Sequence, residues 1–157
     1  MRAKHSHPDS GFTLLELVVV VMFLGILAGV AAPKYRTAMS HAYVHARAVE
    51  LAADLKRARS EAMSESINHT ITFSSINSTY TSNELENLDR PGQSLIVNLA
   101  SDAYDVAISS VDFGGDPSIT FDWYGAPSSP GSVILNLRTQ AYEVSVDVAG
   151  NVSLVQL

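Results

Sequence analysis

From Phe12 to Ala32 runs an apolar block, FTLLELVVVVMFLGILAGVAA, twenty-one residues in which only Thr13 and Glu16 are polar. As a helix it would measure about 31 Å at 1.5 Å per residue, enough to cross a hydrocarbon core of about 30 Å. A secretory signal is the competing reading, with Ala28 to Ala32 offering a run of small residues like a cleavage site. The order of the segment opposes it. A signal peptide is cut after its apolar core, whereas here the short polar, mildly basic stretch Met1 to Gly11 and the Gly11-Phe12 junction come first. Glu16 opposes it too, because a charge deep in a bilayer costs roughly 2.5–3.5 kcal/mol on insertion scales. Its place near one end of the block lowers that cost, but such a group normally has a partner. No basic residue lies between Phe12 and Ala32 to provide one.

The chain has 157 residues, and once the leader, span and helix are set aside one modest head remains, not two domains. Eight of its ten basic residues lie at or before Arg59, and after Arg59 two cations face twelve acids. A head so acidic repels a phosphate backbone, so no nucleic-acid partner is expected. There is no cysteine, which excludes disulfides, thiolate metal sites and cysteine nucleophiles. Charge counting does not orient the span: Arg2 and Lys4 precede it, Lys34 and Arg36 follow it, and the comparison is a tie.

Beyond Pro33 more than thirty residues pass without Gly or Pro, and they are rich in Ala. Val44, Ala48, Leu51, Leu55, Ala58 and Ala62 recur at spacings of four and three, marking one face of a helix. The membrane helix is therefore expected to continue outward, bent or loosened near Pro33, which cannot donate to the helix ladder. Gly25 and Gly29, four apart, suit close helix packing as well as they suit the general abundance of Gly in membrane helices. His41 and His45 share a chelating spacing, but no third ligand lies nearby, so they read as a solvated pair.

From about His69 the period changes to that of strands: residues 70–73, 94–99, 104–108, 118–121, 132–137, 142–148 and 152–155 alternate or are β-branched. Turn residues separate them, among them Arg90-Pro91-Gly92, Gly114-Gly115-Asp116-Pro117 and Gly150-Asn151. Ser74 to Gln93 reads as a long loop or weak hairpin. Trp123 and Tyr124 are expected in the core. The fold class is α+β: a long N-terminal helix, half transmembrane and half amphipathic, packed on an antiparallel β head. The segments are 1–11 as leader, 12–32 as span, 33–66 as amphipathic extension and 67–157 as head.

The run Gly11-Phe12-Thr13-Leu14-Leu15-Glu16 before a long apolar stretch, with Pro33 just beyond it, resembles the class III signal of type IV pilins and type II secretion pseudopilins. The resemblance implies cleavage between Gly11 and Phe12 by prepilin peptidase on the cytoplasmic side, then N-methylation of Phe12. It also implies a partner for Glu16, namely the new α-amine of Phe12 on a neighbouring subunit. Two charges each costly in lipid become tolerable as a pair, and the pairing sets the stagger between subunits. In the head, the helix pattern A-x-x-L-x-x-A-R-S-E-A (Ala52 to Ala62), I-T-F-x-x-x-G (Ile119 to Gly125) and V-x-V-D-x-x-G-x-V (Val144 to Val152) resemble the H-type minor pseudopilins and FimT-like minor pilins.

Nothing in the sequence requires catalysis. No phosphate-binding Gly loop and no nucleophile elbow is present, and His69 is the only histidine of the head, where a triad would need a positioned one. Asp112 and Asp116 flank Gly114-Gly115 and read as an acidic turn, with calcium binding left open because the full oxygen pattern is missing. The expectation is a non-enzymatic, cofactor-free, metal-free structural subunit: a single-pass inner-membrane protein with its head in the periplasm. Its partners are other pseudopilins or pilins and prepilin peptidase. A minor pseudopilin of a type II secretion pseudopilus is the leading reading and a FimT-like minor pilin the alternative, ahead of a membrane-tethered periplasmic enzyme. Neither tip nor shaft position, nor any secreted substrate, is legible.

Overall fold

The computed structural model describes residues 12–100 and 104–157, except for the side chains of Ala32 and Pro33. The leader, and with it Gly11, lies outside the described residues. The chain divides into two compact units, Met1–Ala38 and Met39–Leu157. One helix, α1 (Leu14–Glu65), begins in the first and ends in the second. Its backbone stays helical across position 33, so any loosening at Pro33 stops short of breaking it.

In the first unit every described side chain is exposed. That is unstable in water for a run of Leu, Val, Ile, Met and Phe, and it is what a helix solvated by lipid or by other helices looks like. Among the described residues, this is the one helix long and apolar enough to cross a membrane.

The second unit packs the remainder of α1 with eight strands: β1 (His69–Ser74), β2 (Thr79–Glu86), β3 (Ser94–Asn98), β4 (Ala107–Asp112), β5 (Ser118–Phe121), β6 (Gly131–Leu137), β7 (Gln140–Val146) and β8 (Val152–Gln156). The predicted stripe is the buried face of α1: Val44, Ala48, Leu51, Leu55, Ala58 and Ala62 are all fully buried. Its alanines let the helix approach the strands closely, while Leu51 and Leu55 supply about 1.5–3 kcal/mol each by burial. The helix stops at Glu65 because Ser66 turns into the left-handed region (φ 58°), a standard way of ending the hydrogen-bond ladder.

The strands form two antiparallel four-stranded sheets, ordered β3-β2-β1-β5 and β4-β6-β7-β8. Alternation decides which side chains face inward. On β6 and β7 these are Val133, Leu135 and Leu137 against Tyr142, Val144 and Val146, with Val133 opposite Val144 and Leu135 opposite Tyr142. Ile71, Phe73, Tyr80, Ile119 and Phe121 carry the same core into the first sheet.

One open alternative is decided and two sequence expectations need correction. Of the two readings of Ser74 to Gln93, loop or hairpin, the hairpin holds: β1 and β2 pair with Thr72 opposite Thr81 and Phe73 opposite Tyr80. The pattern was obscure because Tyr80, Ser82 and Leu85 are the buried positions of β2, a serine holds the middle one, and a register shift lies between Ser82 and Glu86. The strand expected at 104–108 lies at β4 instead, and a shift between Ile108 and Ser110 breaks its alternation. Trp123 and Tyr124 are not core residues, being 51% and 70% exposed. The strand ends at Phe121, and Asp122 diverts the chain by accepting the Tyr124 and Ala126 amides on Oδ1 at 2.9 and 2.8 Å.

Candidate functional site

At the start of α1 the backbone amide of Glu16 donates to Thr13 Oγ1 at 3.2 Å, and the Leu17 amide donates to the Thr13 carbonyl at 3.2 Å. Thr13 is thus the N-cap and Glu16 the third helical residue, the T-x-x-E spacing of a capping box. Sequence reasoning overlooked this role, although the motif signals it directly. The Glu16 carboxylate consequently sits at the positive end of the helix dipole. Among the described residues no cation lies against it. Phe12 precedes the helix and is exposed, while the processing junction at Gly11 lies outside the described residues.

In the head, the three motif segments meet at one residue. Arg59 donates from Nε to the Gly125 carbonyl at 3.0 Å, from Nη2 to the Ala149 carbonyl at 2.8 Å and from Nη1 to Asn151 Oδ1 at 3.4 Å. It joins the helix to the loop after β5 and to the β7–β8 turn. Both loops need glycine at the contact. Gly125 (φ 81°) would bring a Cβ to 2.8 Å from Met63 Sδ, and Gly150 (φ 77°) would bring one to 2.6 Å from the Gly125 carbonyl oxygen. Asp147 shapes the second loop by accepting the Ala149 and Asn151 amides on Oδ1, each at 2.8 Å, and Asn151 Nδ2 on Oδ2 at 2.9 Å. Those bonds to Asn151 are the chief reason its carboxyl titrates below the usual range.

Other polar contacts hold the helix to the sheets. Tyr80 Oη donates to Asp54 Oδ2 at 2.6 Å, where burial first of all raises the Asp54 pKa and the tyrosine bond opposes it; burial and the neighbouring Asp54 push the Tyr80 phenol up. His41 is not simply solvated. Its Nε2 lies 2.8 Å from Tyr142 Oη, and its ring stacks parallel to that of His45 at 6.3 Å. His69 is fully buried, with Nε2 at 3.3 Å from Glu65 and no partner for Nδ1 among the described residues. Asp112 accepts the Gly115 amide at 2.9 Å, closing the acidic turn on itself.

Residues 47–151 match the family model for type II transport protein GspH. The chain belongs to the GspH family. The match spans about two thirds of the chain and contains Arg59, Gly125 and Gly150. Comparison with curated proteins finds no match. Among solved structures, the minor pseudopilin EpsH from the type 2 secretion system of Vibrio cholerae is similar to this chain, with a TM-score of 0.54 at 11% identity over 72% of this chain and 96% of that one. The type IV minor pilin FimU of Pseudomonas aeruginosa gives 0.52 at 17% identity over 71% and 87%. At such identities these neighbours speak to the fold, which is that of the pilin-like heads. GspH-family membership makes this a chain that assembles with other pilin-like subunits.

Proposed function

We propose that this chain is a minor pseudopilin of a type II secretion system, a structural subunit anchored through residues 12–32 and incorporated into a periplasmic pseudopilus. One coincidence carries the reading: a GspH-family head over residues 47–151 follows a G-F-T-L-L-E segment and an apolar helix that lie wholly outside the match. The two lines share no residue, so they support each other independently.

On this reading prepilin peptidase cuts between Gly11 and Phe12 at the cytoplasmic face, Phe12 is N-methylated, and the head stands in the periplasm. Glu16, held at the third helical position by the Thr13 cap, meets the Phe12 amine of a neighbour. The work is done by assembly and not by catalysis, and the acidic head has no nucleic-acid partner. The test is a Gly11→Val variant expressed with prepilin peptidase. The expected result is a membrane-inserted, uncleaved chain absent from cross-linked filaments, and entry of the uncleaved chain into filaments would refute the reading.

The likeness to FimU favours a second reading, a minor pilin of a type IV pilus. Gene deletion separates the two. Loss of exported proteins from the medium supports the first, and loss of surface pili with export intact supports the second.

A further inference from the structure

The end of the head where α1 stops carries an open surface around the Arg59 node. Lys56 and Arg59 line an open cleft of about 310 Å³ together with Met63 and Asn151. The two other cations on this part of the helix are neutralised, Arg47 by Glu50 at 2.7 Å and Arg57 by Glu61 at 2.6 Å. Lys56 and Arg59 form no ion pair among the described residues, and the acceptors of Arg59 are two carbonyls and an amide. Arg59 also feels the nearby Asp147 carboxylate, so it is Lys56 that leaves positive charge over in a head where acids outnumber bases twelve to two after Arg59.

The exposed Trp123–Tyr124 pair, ring centroids 3.8 Å apart, leads into the loop that Arg59 holds. Gly125, the next residue, packs on Met63 and Arg59. The pair is held in place: Asp122 accepts the Tyr124 and Ala126 amides, its carbonyl accepts the Gly125 amide at 2.8 Å, and Arg59 fixes the Gly125 carbonyl. An exposed Trp–Tyr pair on a braced loop held by Arg59, with the Lys56 ammonium on the same helix end, has the composition of an interface hot spot. The bracing also means that little ordering entropy remains to be lost on binding.

We propose that this surface docks another pilin-like subunit of the same filament through a segment that is both acidic and apolar. Its carboxylate enters the Lys56–Arg59 cleft and its apolar side chain lies on Met63, Trp123 and Tyr124. Charge complementarity selects an acidic segment, and the aromatic pair selects an apolar neighbour to it. The inference rests on the filament reading above, and adds to it a face distinct from the apolar segment of residues 12–32.

The chain has no cysteine, so a single introduced one is a unique probe. The full chain is expressed in membranes with its companion pilin-like subunits. A bifunctional cross-linker is then attached at Tyr124→Cys, at Asp89→Cys in the β2–β3 loop as a control, or at Leu24→Cys to report the helix. The expected result is a cross-link from position 124 to a companion subunit, reduced at least tenfold by Lys56→Glu, and little from position 89. Lys56 is exposed, so its reversal leaves the melting temperature unchanged, and Trp123→Ala gives a second loss by a different route. Silence at 124 with helix cross-links at 24 intact overturns this inference alone. So does a product that is only a second copy of this chain, or a yield unaffected by both substitutions. Absence of cross-links from every position overturns the filament reading with it.

Discussion

The Arg59 guanidinium and the Gly125 carbonyl are joined at 3.0 Å, although they lie sixty-six positions apart in the chain. Two further bonds from the same side chain reach Ala149 and Asn151, so one planar fork holds the helix and two loops in register. Arg59→Ala leaves those loop carbonyls without their donor, and Arg59→Lys offers a point charge that cannot serve three acceptors in a fixed plane. Each variant is expected to lower stability by about 1–3 kcal/mol, read from the melting temperature, with lysine recovering little of the loss. A lysine variant as stable as the wild type would show that charge, and not the fork, holds the node.

Gly150→Ala tests the other side of the same contact. The added Cβ would meet the Gly125 carbonyl at 2.6 Å in a backbone that already has φ 77°. Strain of this kind costs of order 1–3 kcal/mol, and the Gly125 carbonyl is backbone, not the free end of a flexible side chain. The β7–β8 turn should open first, visible as faster amide exchange at Ala149 and Asn151. Unchanged exchange and melting would mean that the turn relaxes freely.

Much of this was legible in the sequence. The stripe from Val44 to Ala62 named the buried face of α1 because a helix folded on a sheet must repeat its apolar residues at three and four. The regular strands β5 to β8 were legible because their alternation is unbroken. The hairpin strand β2 and the strand β4 were not, since both carry a register shift and a shift breaks period two. The placement of Trp123 and Tyr124 was missed for a different reason. Alternation continued past Phe121 would bury position 123, and only the side-chain bonds of Asp122 show that the strand has ended. The convergence of Arg59, Gly125 and Gly150 belongs to tertiary structure, and three motifs in one chain do not say that they touch.

Leu55→Ala removes a fully buried side chain from the helix–sheet interface. The expected loss is about 2–5 kcal/mol, measured by denaturant unfolding, and it should exceed the effect of any exposed substitution in the head. A loss under about 1 kcal/mol would mean that the helix lies more loosely on the sheets than its burial indicates.

Asp147 and Asp54 give opposite pH signatures. The folded-state pKa of Asp147 is depressed, chiefly by its bonds to Asn151. Its contribution is present above the unfolded value near 3.9 and is lost as pH falls through the folded value. The difference in melting temperature between wild type and Asp147→Asn should therefore shrink below about pH 4. Asp54 is raised by burial, so ionising it penalises the folded state as pH climbs above the unfolded value. Asp54→Asn, which still accepts from Tyr80, should gain on the wild type at neutral pH relative to acid. Equal pH profiles for the two variants would contradict both assignments.

Thr13 and Glu16 lie three residues apart and invite a graded test. Glu16→Ala removes the carboxylate proposed to meet a neighbour's Phe12 amine, but it makes the span more apolar. Membrane insertion and leader cleavage should stay intact while the fraction recovered in cross-linked filaments falls at least tenfold. Thr13→Ala keeps the carboxylate and removes only the cap that donates order to the first turn, a loss of about 1 kcal/mol, or roughly fivefold in an equilibrium. Its defect should therefore be smaller than that of Glu16→Ala and of the same kind. Normal filament entry by Glu16→Ala would end the charge-pairing argument. A Thr13→Ala defect as severe as the Glu16 one would show that positioning by the cap, and not charge alone, decides whether the helix is accepted.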